Sequence, residues 1–180
     1  MVPRKKVFPK PNYKIMNIPS LLCPTDFDLI LVIGGLEFNP TPVELVSLDP
    51  DNHPVPSCLG NLTDFPIFGL RCSAGAVDEE GNPFICGGQT RYNNDSPTEF
   101  YEQCYKYYPK TDSWEEVGSM SYSYCGVSDI EVPGLGLVMV GGLDIEGGCP
   151  SCVTATTDGI SFQSLAPLPA DAGSIEGRGG

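Results

Sequence analysis

Pro83-Phe84-Ile85-Cys86-Gly87-Gly88 is a short apolar run closed by two glycines. The same pattern stands at Leu29-Ile30-Leu31-Val32-Ile33-Gly34-Gly35 and at Leu137-Val138-Met139-Val140-Gly141-Gly142. The pairs begin at residues 34, 87 and 141, so they stand 53 and then 54 residues apart. A period of this size marks one supersecondary unit being repeated. A continuous apolar run this short, bounded by glycine, suits a strand buried on both faces. The paired glycines then allow a sharp turn, or let another backbone come close where a side chain would clash.

The middle unit carries a further pattern. After Gly87-Gly88 comes a polar loop, residues 89–99, and then Cys104-Tyr105-Lys106-Tyr107-Tyr108-Pro109-Lys110-Thr111-Asp112-Ser113-Trp114. With Tyr108 and Trp114 six residues apart around a Pro-Lys-Thr-Asp turn, the chain resembles the kelch repeat family, whose glycine pair is followed by a tyrosine and, six positions later, a tryptophan. The outer units are degenerate. In the first, Leu48-Asp49-Pro50-Asp51-Asn52 stands where the tyrosine and turn should be, and no tryptophan follows. In the third, Thr156 and Phe162 occupy the two positions around Thr157-Asp158-Gly159. The resemblance covers roughly residues 21–173 and implies an all-β fold, a kelch-type β-propeller of three four-stranded blades. Propellers have about 4–8 blades, so three units predict a partial or incomplete ring, or identical chains that complete one another.

The sequence divides into a lead-in at 1–20, irregular or else part of an outer strand of a blade otherwise missing, kelch repeats at 21–66, 67–122 and 123–173, and a tail at 174–180. The lead-in is rich in Pro and Lys; its basic start, Arg4-Lys5-Lys6, is followed by Pro9, Pro11, Asn12 and Lys14 rather than the apolar core of a signal peptide. Strands are predicted at 27–33, 43–48, 55–59, 71–77, 84–86, 100–108, 114–117, 123–132, 137–140, 152–156 and 160–165. Turns are predicted at 49–54, 78–82 and Pro133-Gly134. No window shows a sustained 3.6-residue apolar spacing, so no helix is expected. The end Ile175-Glu176-Gly177-Arg178-Gly179-Gly180 resembles a factor Xa cleavage site with a linker and is left out of the fold.

The chain of 180 residues carries a net charge of −13, from 10 Lys+Arg against 23 Asp+Glu. Nucleic-acid and anionic-membrane partners need a basic patch, so neither is expected. No apolar run approaches the roughly 18 residues of a membrane-crossing helix. There are eight cysteines, at 23 (Cys23), 58 (Cys58), 72 (Cys72), 86 (Cys86), 104 (Cys104), 125 (Cys125), 149 (Cys149) and 152 (Cys152). An even count at this density points to disulfides and an oxidising compartment. Two glycosylation acceptor patterns agree, at Asn61-Leu62-Thr63 and at Asn94-Asp95-Ser96, the second weakened by Pro97. These features favour a secreted or extracellular protein; the alternative is a cytoplasmic kelch domain whose cysteines are small buried apolar residues. Cys86 and Cys104 fall on neighbouring predicted strands, where pairing is feasible, but eight cysteines allow about 105 connectivities and the sequence leaves the choice open.

Catalytic constellations are thin. Cys149-Pro150-Ser151-Cys152 could be half of a zinc site, but a second pair at suitable spacing is missing and His53 is the only histidine. A redox Cys-x-x-Cys normally opens a helix, whereas this one falls in a loop between strands. His53 sits in the turn Asp51-Asn52-His53-Pro54 and reads as solvated rather than as a triad base. Some kelch-type propellers resemble galactose oxidase, a copper enzyme; one histidine is too few for that ligand set. The acidic runs at Asp78-Glu79-Glu80 and Glu115-Glu116 read as solvated charge, and neither a calcium loop nor a phosphate loop is present. No catalytic residue, metal or cofactor is assigned.

Phe100, Tyr101, Tyr105, Tyr107, Tyr108 and Trp114 cluster in the second unit. They suit packing between blades, which the resemblance implies for Tyr108 and Trp114, or else a tyrosine-rich recognition surface. A binding face is sought in the loops after the glycine pairs: Glu37, Phe38 and Asn39; Arg91, Tyr92, Asn93 and Asn94; Asp144, Ile145 and Glu146. The resemblance therefore implies a non-catalytic scaffold for a protein partner. An intracellular kelch domain, as in a ubiquitin-ligase substrate adaptor or an actin-associated protein, is the alternative. A metal-dependent oxidoreductase is the alternative of another class. Self-association through terminal blades is also expected, because unpaired repeat faces need cover.

Overall fold

The structure is a computed structural model that describes residues 62–90, 98–123, 125–142 and 151–169 in full, with the backbone of three further strands. Those strands are β1 (Lys14–Ile18), β2 (Leu29–Ile33) and β3 (Val43–Ser47), which form one antiparallel sheet in chain order. Ile18 lies opposite Leu29, and Leu29 opposite Ser47. Residues 1–20 contain β1, so the irregular reading does not hold for Lys14–Ile18; the strand pairs with β2 of the first unit rather than belonging to a missing blade. The apolar run of β2 needs hydrogen-bonding partners along both edges, and β1 supplies the second edge. Nearby prolines and lysines hide that five-residue strand in the sequence.

A second sheet begins with β4 (Ala74–Val77) and β5 (Pro83–Cys86). A short ribbon follows, β6 (Gln89–Thr90) against β7 (Glu99–Phe100). The sheet then resumes with β8 (Gln103–Tyr108) and β9 (Ser113–Ser119), in the order β4-β5-β8-β9. The predicted strand 100–108 is therefore two elements, because Phe100 pairs with Gln89 and not with the sheet. The third sheet runs β10 (Ser128–Val132), β11 (Gly136–Val140), β12 (Val153–Thr156), β13 (Gln163–Ser164). Every pairing is antiparallel, and the described residues contain no helix. Each glycine-pair run is thus the second strand of its own sheet: β2, β5 and β11. The expected strand 55–59 lies outside the described residues.

Turn chemistry places these strands. Asp78 Oδ1 accepts the backbone N–H groups of Glu80 (3.0 Å) and Asn82 (2.8 Å), closing the β4–β5 connection. Leu135 N–H donates to Val132 O at 3.0 Å across Pro133-Gly134, the residues a type II turn wants at its centre. Thr111 N–H donates to Tyr108 O at 3.2 Å, joining β8 to β9.

Strand β5 shows why its sequence is apolar at every position. Ile85 packs on one face, with Val43, Phe65, Ile67 and Leu70. Phe84 and Cys86 pack on the other, with Ala74, Ala76, Cys104, Met120, Leu137 and Met139. Leu137 and Met139 belong to β11, so the third sheet covers this second face. Phe84 is fully buried, and its burial is worth about 2–3 kcal/mol. β4 contacts β1 on one side and β10 and β11 on the other.

The glycine pair has both of the uses that its sequence suggests. Gly87 and Gly88 have φ of 66° and 103°; Gly141 and Gly142 have 71° and 110°. A Cβ on Gly88 would stand 2.9 Å from Arg71 O and 2.9 Å from Leu70 Cδ1. The 70–71 segment crosses there because Arg71 and Gln89 exchange backbone hydrogen bonds of 3.0 and 2.9 Å. Gly118 serves a second close approach. The register slips between Cys104 and Tyr105, opposite Gly118 and Glu116, and leaves Val117 as an extra residue in β9. A Cβ on Gly118 would fall within 2.9 Å of Ile160 Cα and closer still to Gly159 O, so the 158–160 loop of the third unit rests against that bulge.

Candidate functional site

The loop residues proposed for binding, Glu37, Phe38, Asn39, Arg91, Tyr92, Asn93, Asp144, Ile145 and Glu146, lie outside the described residues, as do Asn61, Asn94, Gly34 and Gly35. The stem of the middle loop is described. Thr90 is buried at the end of β6, with its Oγ1 3.5 Å from Tyr101 Oη, and that hydroxyl donates to Glu99 Oε2 at 3.1 Å. Tyr101 N–H donates to Gly88 O at 2.9 Å. The polar segment 91–97 therefore springs from a hydrogen-bonded ribbon fixed to the glycine pair.

The aromatic cluster is largely a packing device. Phe65 meets Trp114 at 4.9 Å and Tyr105 at 5.4 Å, both edge-on. Trp114 Nε1–H donates to Thr63 O at 3.1 Å. The structure corrects which tyrosine pairs with the tryptophan. Tyr107 is fully buried, 5.1 Å from Trp114, and its hydroxyl donates to Asp112 Oδ1 at 2.6 Å. Tyr108 is only half-buried and borders a cleft of about 140 Å³ with Glu80, Asn82, Pro109 and Lys110. Alternation along β8 decides this: Tyr105 and Tyr107 share one face, and Tyr108 faces the other way. Register gives the same answer. Phe84 pairs with Lys106 and Val138 with Ala155, so Thr156 is the counterpart of Tyr107. Phe162 does pack on the core, beside the Phe84 cluster.

Burial, then the Asp112 carboxylate, push the Tyr107 hydroxyl well above its ordinary range. Asp112 is held below its ordinary value by the Thr63 backbone N–H and then by Tyr107. Asp78 is also lowered. Burial opposes that shift, but the Lys106 ammonium at 2.9 Å and the Asn82 donors outweigh it. Lys106 and Asp78 are each 7% exposed, so this pair joins β8 to the β4–β5 turn inside the protein.

The cysteines divide into two kinds. Cys86 and Cys104, directly opposite on β5 and β8 with Cα atoms 4.1 Å apart, form a disulfide. The third unit has Val140 opposite Val153 at that place. Cys152 is also disulfide-bonded, which removes it as a zinc thiolate. Cys72 and Cys125 are free thiols, a correction to their inclusion among the disulfide candidates. Cys23, Cys58 and Cys149 lie outside the described residues.

The two free thiols lie in adjoining segments: Gly126 N–H donates to Cys72 O at 3.4 Å, and Cys125 and Arg71 both influence the Cys72 thiol. The contact with Cys125 is the main influence that brings Cys72 down to about 7; burial opposes it, and Arg71 and the Gly126 N–H assist. Cys125 shifts upward in turn, through Cys72 and burial. The repeat gave no signal for the pair: the second and third units are offset by 54 residues, which matches Cys72 (φ 60°) to Gly126 (φ 70°) and Cys125 to Arg71. Among the described residues no group of three or more His, Cys, Asp or Glu side chains could hold a metal, and no helix is long and apolar enough to cross a membrane.

No protein-family model and no curated protein matches the chain. Among solved structures that resemble it is one titled "Structure of YjhT", at 12% identity and a TM-score of 0.49. The match covers 86% of this chain and 45% of that one, so the chain spans less than half the length of that structure.

Proposed function

We propose that the chain is a segment of a kelch-type β-propeller that acts as a non-catalytic, protein-binding scaffold, with the loops after the glycine pairs as its contact surface. One observation carries the reading. Gly87-Gly88 and Gly141-Gly142, 54 residues apart, adopt the same pair of left-handed conformations, and each pair ends the second strand of a four-stranded antiparallel sheet. Contacts of β4 with β1, β10 and β11 suit sheets arranged radially with their first strands innermost. Ile130, 61% exposed, pairs with Val138 on the third sheet, whose neighbours Leu137 and Met139 turn to the second sheet. Such a face suits a further blade or a second copy.

The Cys86–Cys104 disulfide favours an extracellular setting. The free thiols Cys72 and Cys125 favour the second version, an intracellular kelch domain. Counting thiols on protein taken from its native compartment separates the two: a reduced Cys86 and Cys104 there removes the extracellular version. The binding role is tested by selecting a partner from a displayed protein library and then replacing Arg91, Tyr92 and Asn93 together by alanine. Binding is expected to weaken at least about tenfold, as for loss of an interface hot spot. Unchanged binding, with loss on Glu79→Ala/Glu80→Ala instead, would place the surface at the opposite turns and defeat the proposal.

A further inference from the structure

We propose that Cys72 and Cys125 form a thiol–disulfide exchange site between the second and third sheets, where Cys72 attacks disulfide-class oxidants and Cys125 resolves the adduct. The placement comes from the packing of neighbouring units. Cys72 stands just before β4 and Cys125 just before β10, and β4 packs against β10. Two sheets thus bring the two thiols side by side, Cys125 being next in the chain to the residue whose N–H bonds Cys72 O.

Three details make this pair unlike a pair of core cysteines. Cys72 has φ of 60°, rare for a residue with a side chain, and the Arg71–Gln89 bridge holds the segment that imposes it. Gly126 N–H donates to Cys72 O at 3.4 Å from the other side, next to Cys125. Arg71 Nε is buried without a hydrogen-bond partner, and its guanidinium lies close enough to act on both sulfurs. A thiolate at Cys72 is the group that such an unsatisfied donor suits. Exposure sets the roles: Cys72 is partly accessible and can meet a reagent, while Cys125 is buried and can meet only Cys72. The other described cysteines, Cys86, Cys104 and Cys152, are already in disulfides.

The exchange balances in two steps. The Cys72 thiolate attacks one sulfur of an oxidant such as glutathione disulfide; a mixed disulfide forms, and one glutathione leaves as thiolate and takes up a proton. Cys125 then loses its proton and attacks Cys72 Sγ, which expels the second glutathione. The oxidant gains two electrons and two protons, and the chain gains a covalent link between two sheets. Arg71, Cys125 and the Gly126 N–H are the groups that act on Cys72.

The test uses the full chain as purified, with its existing disulfides. After treatment with glutathione disulfide, peptide mapping without reduction is expected to show a Cys72–Cys125 link. Cys125→Ser is expected to stop at Cys72 joined to glutathione, and Cys72→Ser to leave Cys125 unmodified. Cys72 linked elsewhere, or a Cys125→Ser variant that takes up no glutathione, overturns the proposal. A measurement on the unaltered chain guards against misfolded variants. Near neutral pH, iodoacetamide should alkylate Cys72 at least about tenfold faster than Cys125, and equal rates overturn the proposed roles. None of these outcomes depends on the propeller reading.

Discussion

Replacing Gly88 by alanine tests the close crossing on which the glycine pair depends. The new methyl group would meet Arg71 O and Leu70 Cδ1, each at 2.9 Å, a distance real Cβ atoms essentially never show. Arg71 O is fixed by the Gln89 N–H, and Leu70 is packed into the Phe65 cluster, so neither yields easily. That overpacking costs about 1–3 kcal/mol. The φ of 103° adds backbone strain of about 1–3 kcal/mol for any residue with a Cβ. The expected total is about 3–4 kcal/mol. Gly69→Ala is the matched control. It also has positive φ, 63°, but nothing lies within 4 Å of its added Cβ. There the cost is about 1 kcal/mol of conformation, partly offset by a less flexible unfolded chain. Urea unfolding followed by Trp114 fluorescence reads both variants, because the single tryptophan packs between Phe65 and Tyr107. In heat, the difference should appear as a Tm gap of roughly 4–12 °C for a chain of this size. A Gly88→Ala variant within about 0.5 kcal/mol of Gly69→Ala would refute the crossing as the reason for the glycine.

Other perturbations separate further contributions. Changing both Cys86 and Cys104 to alanine opens a link of sequence separation 18 and should cost about 3 kcal/mol in urea midpoint experiments. Asp78→Ala should cost more than Lys106→Met. The first strands a buried ammonium and undoes the turn, at about 3–5 kcal/mol, while the second leaves Asp78 its Glu80 and Asn82 donors. Asp78, Asp112 and Asp158 are all held below the usual 3.8 in the folded chain, Asp158 against burial by the Ser161 and Ile160 N–H groups. Their stabilisation is complete above that value and is lost as pH falls through the lowered ones, so the urea midpoint should drop in acid, less steeply in Asp78→Asn. If terminal faces cause self-association, Ile130→Asp should lower the mass seen in light scattering; an unchanged oligomer would point to another surface.

What the sequence made legible was backbone punctuation. The apolar runs that end in glycine became β2, β5 and β11, and the Asp78–Asn82, Pro133-Gly134 and Pro109–Asp112 segments became the turns their residues favour. Strand β1 stayed hidden because five residues among prolines and lysines show little periodicity until a partner strand is known. Tyr108 was favoured over Tyr107 by counting six residues to Trp114, whereas side-chain alternation on β8 and the Asp112 acceptor decide the packing. The Cys86–Cys104 pairing could be named but not chosen, since strand register is a long-range property. The Cys72–Cys125 pair had no signal in the repeat, whose register matches Cys72 to Gly126; only the packing of neighbouring sheets brings the two together.

The disulfide between β5 and β8 has a topological consequence. Everything from residue 87 to residue 103, including the β6–β7 ribbon and the segment it carries, belongs to a covalent circle. A protease that cuts within that circle leaves the two products tethered, and they should migrate as one species until a reductant is added. Evolution can lengthen or rewrite the segment at little risk to the sheet, since β5 and β8 stay joined whatever it becomes.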